Sequence, residues 1–359
     1  MKRIGVVLMN MGGPNREEAV QPFLYNLFMD DDIIKIPLKG GIKRRLVKLI
    51  SSKRARVVAE KYKMINACPK GCLGPKSCSN RQQKVVSDCC SSTNPITEWQ
   101  RRELEKALNR ESQGISYTVV TAMRYWHPFT DEAIDQLEAA DCEQLVLLPL
   151  YPQFSYSTTA SSLNEWVRRL RARGLEDRWK TLLIPSYHTH PAYIAAINQR
   201  IDEALQKFPP EVLDQLHLLF SAHGTPVSFR EAGDPYSFQI KESMEAVMQA
   251  RGKDHPYWLS YQSRVGPVKW LKPNTEDFLH VLRGYGVRHL LVIPIAFVSD
   301  HIETSHEIGI EFREIAEEIG MQHFELTEGL NDMPLFIDTL RQLVHQRLGE
   351  AKQVPGFRA

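Results

Sequence analysis

HLLVIPIAFVSDHIETSHEIGIE, residues 289–311, decides the fold. Its first half, LLVIPIAF, is a short apolar run rich in Ile, Leu and Val. With GYGV before it and a polar segment after it, this is the pattern of a parallel strand buried on both faces. The second half predicts a helix starting near Ser299 and Asp300, two residue types suited to a helix N-cap. Glu303, Glu307 and Glu311 recur every four residues, so they share one helix face with Asp300 near its head. Like charges at that spacing cost about 0.2–0.5 kcal/mol per pair. A solvated acidic face tolerates that cost, whereas an inward face needs a cation or shared protons. Position favours the inward reading, because open α/β sheets bind ligands where strands end and helices begin.

A second strand end has the same character. Residues 216–221, LHLLFS, form an apolar run that stops at Ala222-His223-Gly224-Thr225-Pro226. This predicts an imidazole on the first loop residues after a buried strand, with Gly and Pro fixing the backbone around it. A loop histidine alone is more often structural. Paired with a carboxylate row at a neighbouring strand end, it suits a divalent metal and proton transfer.

At 359 residues and 43% hydrophobic content, the chain can bury one large core or two ordinary ones. A net charge of +2 gives no global bias towards nucleic acid. The N-terminal MKRIGVVLMNMGGP has too short an apolar run to span a bilayer and no small-residue cleavage site, so it reads as a first strand. These features predict a cytoplasmic protein.

Strands predicted at 3–9, 117–123 and 144–150 alternate with helices at 98–109 and 131–139. This β-α-β-α-β order implies a parallel sheet covered by helices. Further strands at 181–185, 216–221, 257–262 and 290–297 alternate with helices at 191–207, 237–251 and 275–283. The expected architecture is α/β: two Rossmann-like doubly wound domains with parallel sheets and an active-site cleft between them. Their expected limits are 1–155 and 156–333, followed by a helix at 334–350 that packs back on the first domain and a tail at 351–359. Residues 156–162, YSTTASS, read as a hydroxyl-rich loop before a helix, either an anion cradle or a multiply capped helix start. The stretch from Glu17 through Arg45 reads as a pair of core-packing helices or as an apolar lip touching a ligand or a membrane surface.

Residues 66–95 break the pattern, being rich in Cys, Gly, Pro, Ser and Lys without helical or strand period. Five of the six cysteines lie here: Cys68, Cys72, Cys78, Cys89 and Cys90. The spacing C-x3-C-x5-C-x10-C-C is not that of paired C-x2-C zinc ribbons. Four thiolates holding an iron–sulfur cluster, four holding zinc, and free redox thiols all remain open.

LMNMGGP, MRYWHPFT, YPQFSYSTTASS, LLFSAHGTP, GDPY, YQSRVGPVKWLKP and IPIAFVSDHIET together resemble the ferrochelatases, enzymes that insert Fe²⁺ into a porphyrin. The resemblance runs from about residue 3 to 348 and leaves out the Cys-rich insert. It implies that His223 is the active-site histidine, a metal ligand or a base for pyrrole protons. Glu303 is then the carboxylate facing it across the porphyrin, and Asp300, His301, Glu307 and Glu311 form a polar row conducting protons or metal. Met11 falls above the macrocycle, Arg124, Tyr125 and Tyr261 line pocket walls, and Ser157 and Thr158 belong to a hydroxyl-rich pocket loop. Tyr261 stands where several relatives have Trp.

The implied reaction converts protoporphyrin IX and ferrous iron to protohaem with release of two protons, the last step of haem biosynthesis. Coproporphyrin III as substrate, or cobalt as the metal, is the alternative. Some bacterial relatives carry a [2Fe–2S] cluster in an internal insert, and the segment GEAKQVPGFRA has no cysteine motif. The implied partners are porphyrin and iron, with peripheral contact at the inner membrane and a monomeric or homodimeric state as further expectations. A non-catalytic haem carrier, or a redox or zinc protein centred on the insert, would be the rival classes. The geometric expectation is specific: imidazole and carboxylate reach in from opposite sides and sandwich a tetrapyrrole.

Overall fold

The structure, a computed structural model, describes residues 1–65, 93–110, 112, 114–264 and 268–353. The chain divides into two compact units. The first comprises Met1–Tyr151, Tyr156–Ser186 and the chain from Ile337, and the second comprises Pro152–Ser155 and Tyr187–Phe336.

In the first unit, β1 (Lys2–Asn10), β2 (Ile115–Met123), β3 (Gln144–Pro149) and β4 (Lys180–Leu183) form a parallel sheet in the order β2-β1-β3-β4. Every residue of β3 is buried, as is β1 from Ile4 onward, which explains why these strands read as unbroken apolar runs. Helices Thr130–Ala139 and Ser161–Arg173 cover the sheet, burying Ile134, Leu137, Trp166 and Leu170 against Val7, Val120 and Leu145. The last helix, Pro334–Gln353, buries Leu340 and Val344 and brings His345 within 6.2 Å of the Tyr117 ring.

The second unit repeats the pattern with β5 (Leu216–His223), β6 (Tyr257–Gln262), β7 (His289–Pro294) and β8 (His323–Leu326) in the order β6-β5-β7-β8. Its core gathers Leu219, Leu290 and Val292 under Leu279, Leu282, Ile308 and Phe312. In each sheet the chain leaves the first strand to one side and later returns to the other. The reversal opens between β1 and β3 in one unit, and between β5 and β7 in the other. Such reversals are where doubly wound sheets bind ligands, at the carboxyl ends of the strands.

Four local expectations need correction. β8 has no counterpart in the sequence reading, because HFEL is only four residues with one fully buried side chain. His223 is the last residue of β5 and not a loop residue, because its backbone stays in register with Gln262 of β6. The segment after β3 is a loop only over residues 151–155: Tyr156–Ala160 is a turn of π-helix running into Ser161–Arg173. The acidic segment is likewise a π-helix, Glu303–Phe312, continuing as Arg313–Glu318, and neither Ser299 nor Asp300 caps it. Asp300 is instead bound by the 329–331 turn, accepting from Gly329 N at 3.0 Å and Asn331 Nδ2 at 2.7 Å.

Candidate active site

His223 and Glu303 lie side by side in the second unit. The Nε2 of His223 is 3.8 Å from one Glu303 carboxylate oxygen, and the Nε2 of His301 is 3.6 Å from the other. One carboxylate therefore stands between two imidazoles. Phe297 meets the His223 ring edge-on at 6.4 Å and the His301 ring at 4.3 Å, limiting how either can turn. All three polar side chains are partly exposed.

Each neighbour holds the pair for a local reason. Gly224 follows His223 because a Cβ there would sit 2.8 Å from the Gln262 carbonyl and 2.9 Å from that of Ser263. The His223 carbonyl accepts from Tyr236 Oη at 2.9 Å, fixing the strand end. Gln262, fully buried, donates to the Glu303 carbonyl at 3.1 Å and contacts Glu307 at 3.4 Å. Ser263 gives Glu307 both its N–H, at 3.0 Å, and its hydroxyl, at 2.6 Å. To do so Ser263 holds φ at 57°, a left-handed conformation that non-glycine residues rarely adopt.

The sandwich expectation fails here. A macrocycle between two groups needs about 3.5 Å of van der Waals contact on each side, close to twice the observed gap. His223 and Glu303 are too close for a ring to lie between them, and so they can serve only one face of it. At 3.8 Å they are also too far apart for a hydrogen bond. Two bonds of about 2.0–2.2 Å to a single metal ion span that distance at an open angle. The pair is thus spaced so that both could reach one divalent cation.

Burial and the nearby Glu303 charge push the Glu307 carboxyl above its ordinary value, against the pull of the Ser263 hydrogen bonds and of His223. Burial lowers the His301 imidazole, against the pull of Glu303 and Asp300. A carboxyl that takes a proton readily thus sits one helical turn beyond Glu303. Glu311 continues the stripe and lies 3.6 Å from His306 Nδ1. Tyr261, buried on β6, has its hydroxyl pushed up to about 12 by burial.

The remaining expected site residues lie in the first unit. Met11, half-buried, follows β1; its carbonyl accepts from Tyr125 N at 3.0 Å and its N–H binds the Asn10 side chain at 2.8 Å. Gly12 turns the chain at φ 79°. Tyr125 is buried and Arg124 partly so, and their polar atoms converge on Asp30: Arg124 Nη2 at 2.5 Å and Tyr125 Oη at 2.7 Å. Ser161 Oγ adds 2.8 Å to the same oxygen. Burial alone would raise Asp30, but the Arg124 charge and these hydrogen bonds hold it below the ordinary carboxylate value. Ser157 and Thr158 sit in the π-turn, partly buried, while Thr159, Ser161 and Ser162 point inward. Cys68, Cys72, Cys78, Cys89 and Cys90 lie outside the described residues.

Asp30, Gln262 and Ser263 were given no role in the sequence reading, although the last two lie within YQSRVGPVKWLKP. Asp30 heads the DDD run after FLYNLFM, and Gln262 is a polar end to the strand YWLSYQ. Either could have been flagged as a polar residue closing an apolar run.

In fold the chain is similar to two solved structures. One is SirB from Bacillus subtilis with Fe³⁺, with TM-score 0.54 and 8% identity over all of both chains. The other is the sirohydrochlorin chelatase SirB from Bacillus subtilis subspecies spizizenii in complex with cobalt, with TM-score 0.52 and 9% identity over 99% of this chain and 97% of that one. At such identities the likeness defines a fold class, the two-unit α/β fold of these chelatases. Sequence goes further. A family model described as ferrochelatase matches residues 3–348. A Picosynechococcus ferrochelatase is 44% identical over 366 residues, covering 99% of this chain and 86% of the relative. One from Gloeobacter violaceus is 42% identical over 354 residues, covering 97% and 99%. The chain belongs to the ferrochelatase family.

Because its folded value is raised, ionised Glu307 opposes folding once the pH exceeds the ordinary value of 4.5. Replacing it by Gln removes that opposition. Thermal unfolding of Glu307→Gln and the parent, measured from pH 4 to 8, should show the variant gaining relative stability as pH rises. A difference that stays flat, or shrinks with pH, contradicts the assignment.

Proposed function

We infer that this chain inserts Fe²⁺ into protoporphyrin IX, two pyrrole protons leaving as protohaem forms, the last step of haem biosynthesis. The observation that carries the reading is the Glu303 carboxylate held between His223 and His301 at the β5–β7 reversal. An imidazole is suited to take a pyrrole proton, and a carboxylate is suited to hand over a hard cation.

The roles follow from the spacing. Ferrous iron arrives between His223 Nε2 and Glu303. As iron passes to the pyrrole nitrogens, His223 accepts one proton. Glu303 accepts the other, and Glu307, whose carboxyl is raised, carries it away along the stripe towards Glu311. Iron keeps its oxidation state, and two N–H bonds are exchanged for bonds from nitrogen to iron. Since the pair serves one face, the ring must dome towards it, a strain supplied by binding along the rest of the macrocycle. Met11 is proposed as a porphyrin-binding residue. Arg124, Tyr125, Ser157, Thr158 and Tyr261 are proposed as pocket walls, Arg124 and Tyr125 acting from within the Asp30 network.

Anaerobic assays following loss of the free-base porphyrin bands test this reading. His223→Ala should reduce turnover to background, and Glu303→Gln should lower it by about 10²–10⁴-fold with near-native folding. Unchanged turnover in either variant contradicts the roles. Coproporphyrin III turned over in preference to protoporphyrin IX would reassign the substrate.

We further propose that four of Cys68, Cys72, Cys78, Cys89 and Cys90 hold a [2Fe–2S] cluster. The support is the donor set itself, five thiols within one short segment. When bound, the cluster supplies one-electron redox chemistry. Protein purified without air should carry stoichiometric iron and sulfide and give a paramagnetic signal on reduction. Colourless protein containing chelatable zinc would contradict it.

We also propose that helix Gly40–Met64 rests on an anionic membrane surface. Its inner face is partly polar, burying Lys43, which pairs with Asp31 at 2.5 Å, along with Val47, Ser51 and Tyr62. Its outer face exposes Ile42, Leu49, Val57 and Met64 among Arg44, Arg45, Lys48, Lys53 and Arg56. That combination suits a helix lying in a lipid interface. No helix among the described residues is long and apolar enough to cross a membrane. Sedimentation with vesicles rich in anionic lipid should retain the protein at low salt and lose Ile42→Asp/Leu49→Asp. Equal retention of both proteins contradicts the surface.

A further inference from the structure

Residues 295–301, which join β7 to the π-helix carrying Glu303, belong to neither strand nor helix. They nevertheless end on His301, the imidazole that stands 3.6 Å from the Glu303 carboxylate. The three residues before His301 are held by the turn that follows β8. Asn331 alone makes three bonds to them. Its N–H donates to the Val298 carbonyl at 2.8 Å, its Oδ1 accepts from Asp300 N at 2.9 Å, and its Nδ2 donates to Asp300 Oδ2 at 2.7 Å. Gly329 N donates to the other Asp300 oxygen at 3.0 Å.

Every part of that turn is committed to the contact. Asn331 keeps φ at 47°, in the left-handed region that Asn adopts more readily than most side chains. Gly329 has no room for a side chain, since a Cβ would sit 2.8 Å from Asp300 N and 3.1 Å from Asp300 Oδ1. Behind it, Arg200 of helix Pro191–Leu205 donates to the Gly329 carbonyl at 2.9 Å, while its Nη1 pairs with Glu203 at 2.7 Å. On the other side, Thr304 Oγ1 accepts from His301 N at 3.0 Å and lies 3.5 Å from Asp300 Oδ1. The fixed position is thus passed to the first turn that bears Glu303. Left-handed backbone and an amide locked to a carboxylate are costs that a plain surface turn has no need to carry.

We propose that Asn331 is a positioning residue for metal transfer, and that its partner Asp300 acts by place and not as a link in the proton row. The Asn331–Asp300 clasp sets where His301 stands, and with it one of the two imidazoles that flank Glu303. Gln262 and Ser263 hold the Glu303 helix from the β6 side, and the clasp holds its entry from the β8 side. A displacement of about 1 Å at the reacting groups costs on the order of 10²-fold in rate, so a residue need not touch iron or porphyrin to govern turnover. The consequence for turnover rests on the function inferred above; the clasp itself does not.

Three variants, each followed by anaerobic metallation kinetics and by crystal structure, test the proposal. Asn331→Gly keeps the left-handed backbone and removes both side-chain bonds, so kcat should fall by about 10–10²-fold with the KM for porphyrin unchanged. Asn331→Asp sets two carboxylates against each other and should lose at least as much. The exchange Asp300→Asn/Asn331→Asp restores the pair with amide and carboxylate reversed, and should recover about tenfold or more of the loss in Asn331→Asp. In the crystals, His301 and the Glu303 carboxylate should be displaced in the single variants and back in place in the exchange. Parent turnover in folded Asn331→Gly overturns the proposal, as does a change confined to the porphyrin KM. A folded exchange variant no more active than Asn331→Asp also overturns it, since the Asp300 charge itself is then required. Should the parent make no haem, the function inferred above fails, and the displacement and return of His301 still decide the clasp.

Discussion

A carboxylate held between two imidazoles is the interaction on which this molecule turns. Glu303 cannot move far, because its carbonyl is bound by Gln262 and the next turn of its helix is clamped through Glu307 by Ser263. The imidazoles are limited by Phe297, set between them. Polar groups that are not hydrogen-bonded to each other, yet lie close enough to share a cation, hold a charge only loosely. A site that must pass a metal on needs that looseness, since a closed cage of ligands would retain it.

The same device recurs in both units. Each sheet runs 2-1-3-4 by strand order, and in each the third strand is followed by π-helix: Tyr156–Ala160 after β3, Glu303–Phe312 after β7. A π-turn widens the helix by changing the repeat from i→i+4 to i→i+5, which re-aims side chains and frees backbone groups, often at functional sites. In the second unit it carries the carboxylate stripe. In the first it leads into Ser161, which joins Arg124 and Tyr125 on Asp30. There the charges are internal and paired, so that network lends rigidity. In the second unit the charges remain partly open to ligand.

Much of this was legible in the chain. Central strands buried on both faces leave unbroken apolar runs, so LLVIPI and LLFSA stood out, and the alternation with helices implied parallel sheets. His223 and Glu303 were legible because each follows such a run. The π-helix was not, because a four-residue spacing of glutamates keeps nearly one face in either helix type. The short edge strand β8 left too little apolar signal. Relative position was hardest to read: two strand ends reaching a crevice from opposite sides look the same in sequence as two lying side by side. Register decided it, because Ser221 of β5 pairs with Pro294 of β7 and brings both strand ends together on one sheet.

The account stands on a single ion fitting between His223 Nε2 and the Glu303 carboxylate from one side of the ring. Anomalous diffraction from crystals soaked in Zn²⁺, as a stand-in for ferrous iron and without porphyrin, measures this directly. The expected result is a peak within about 2.0–2.2 Å of both atoms. Metal bound only elsewhere, with those two side chains left without it at saturating concentration, would contradict the account.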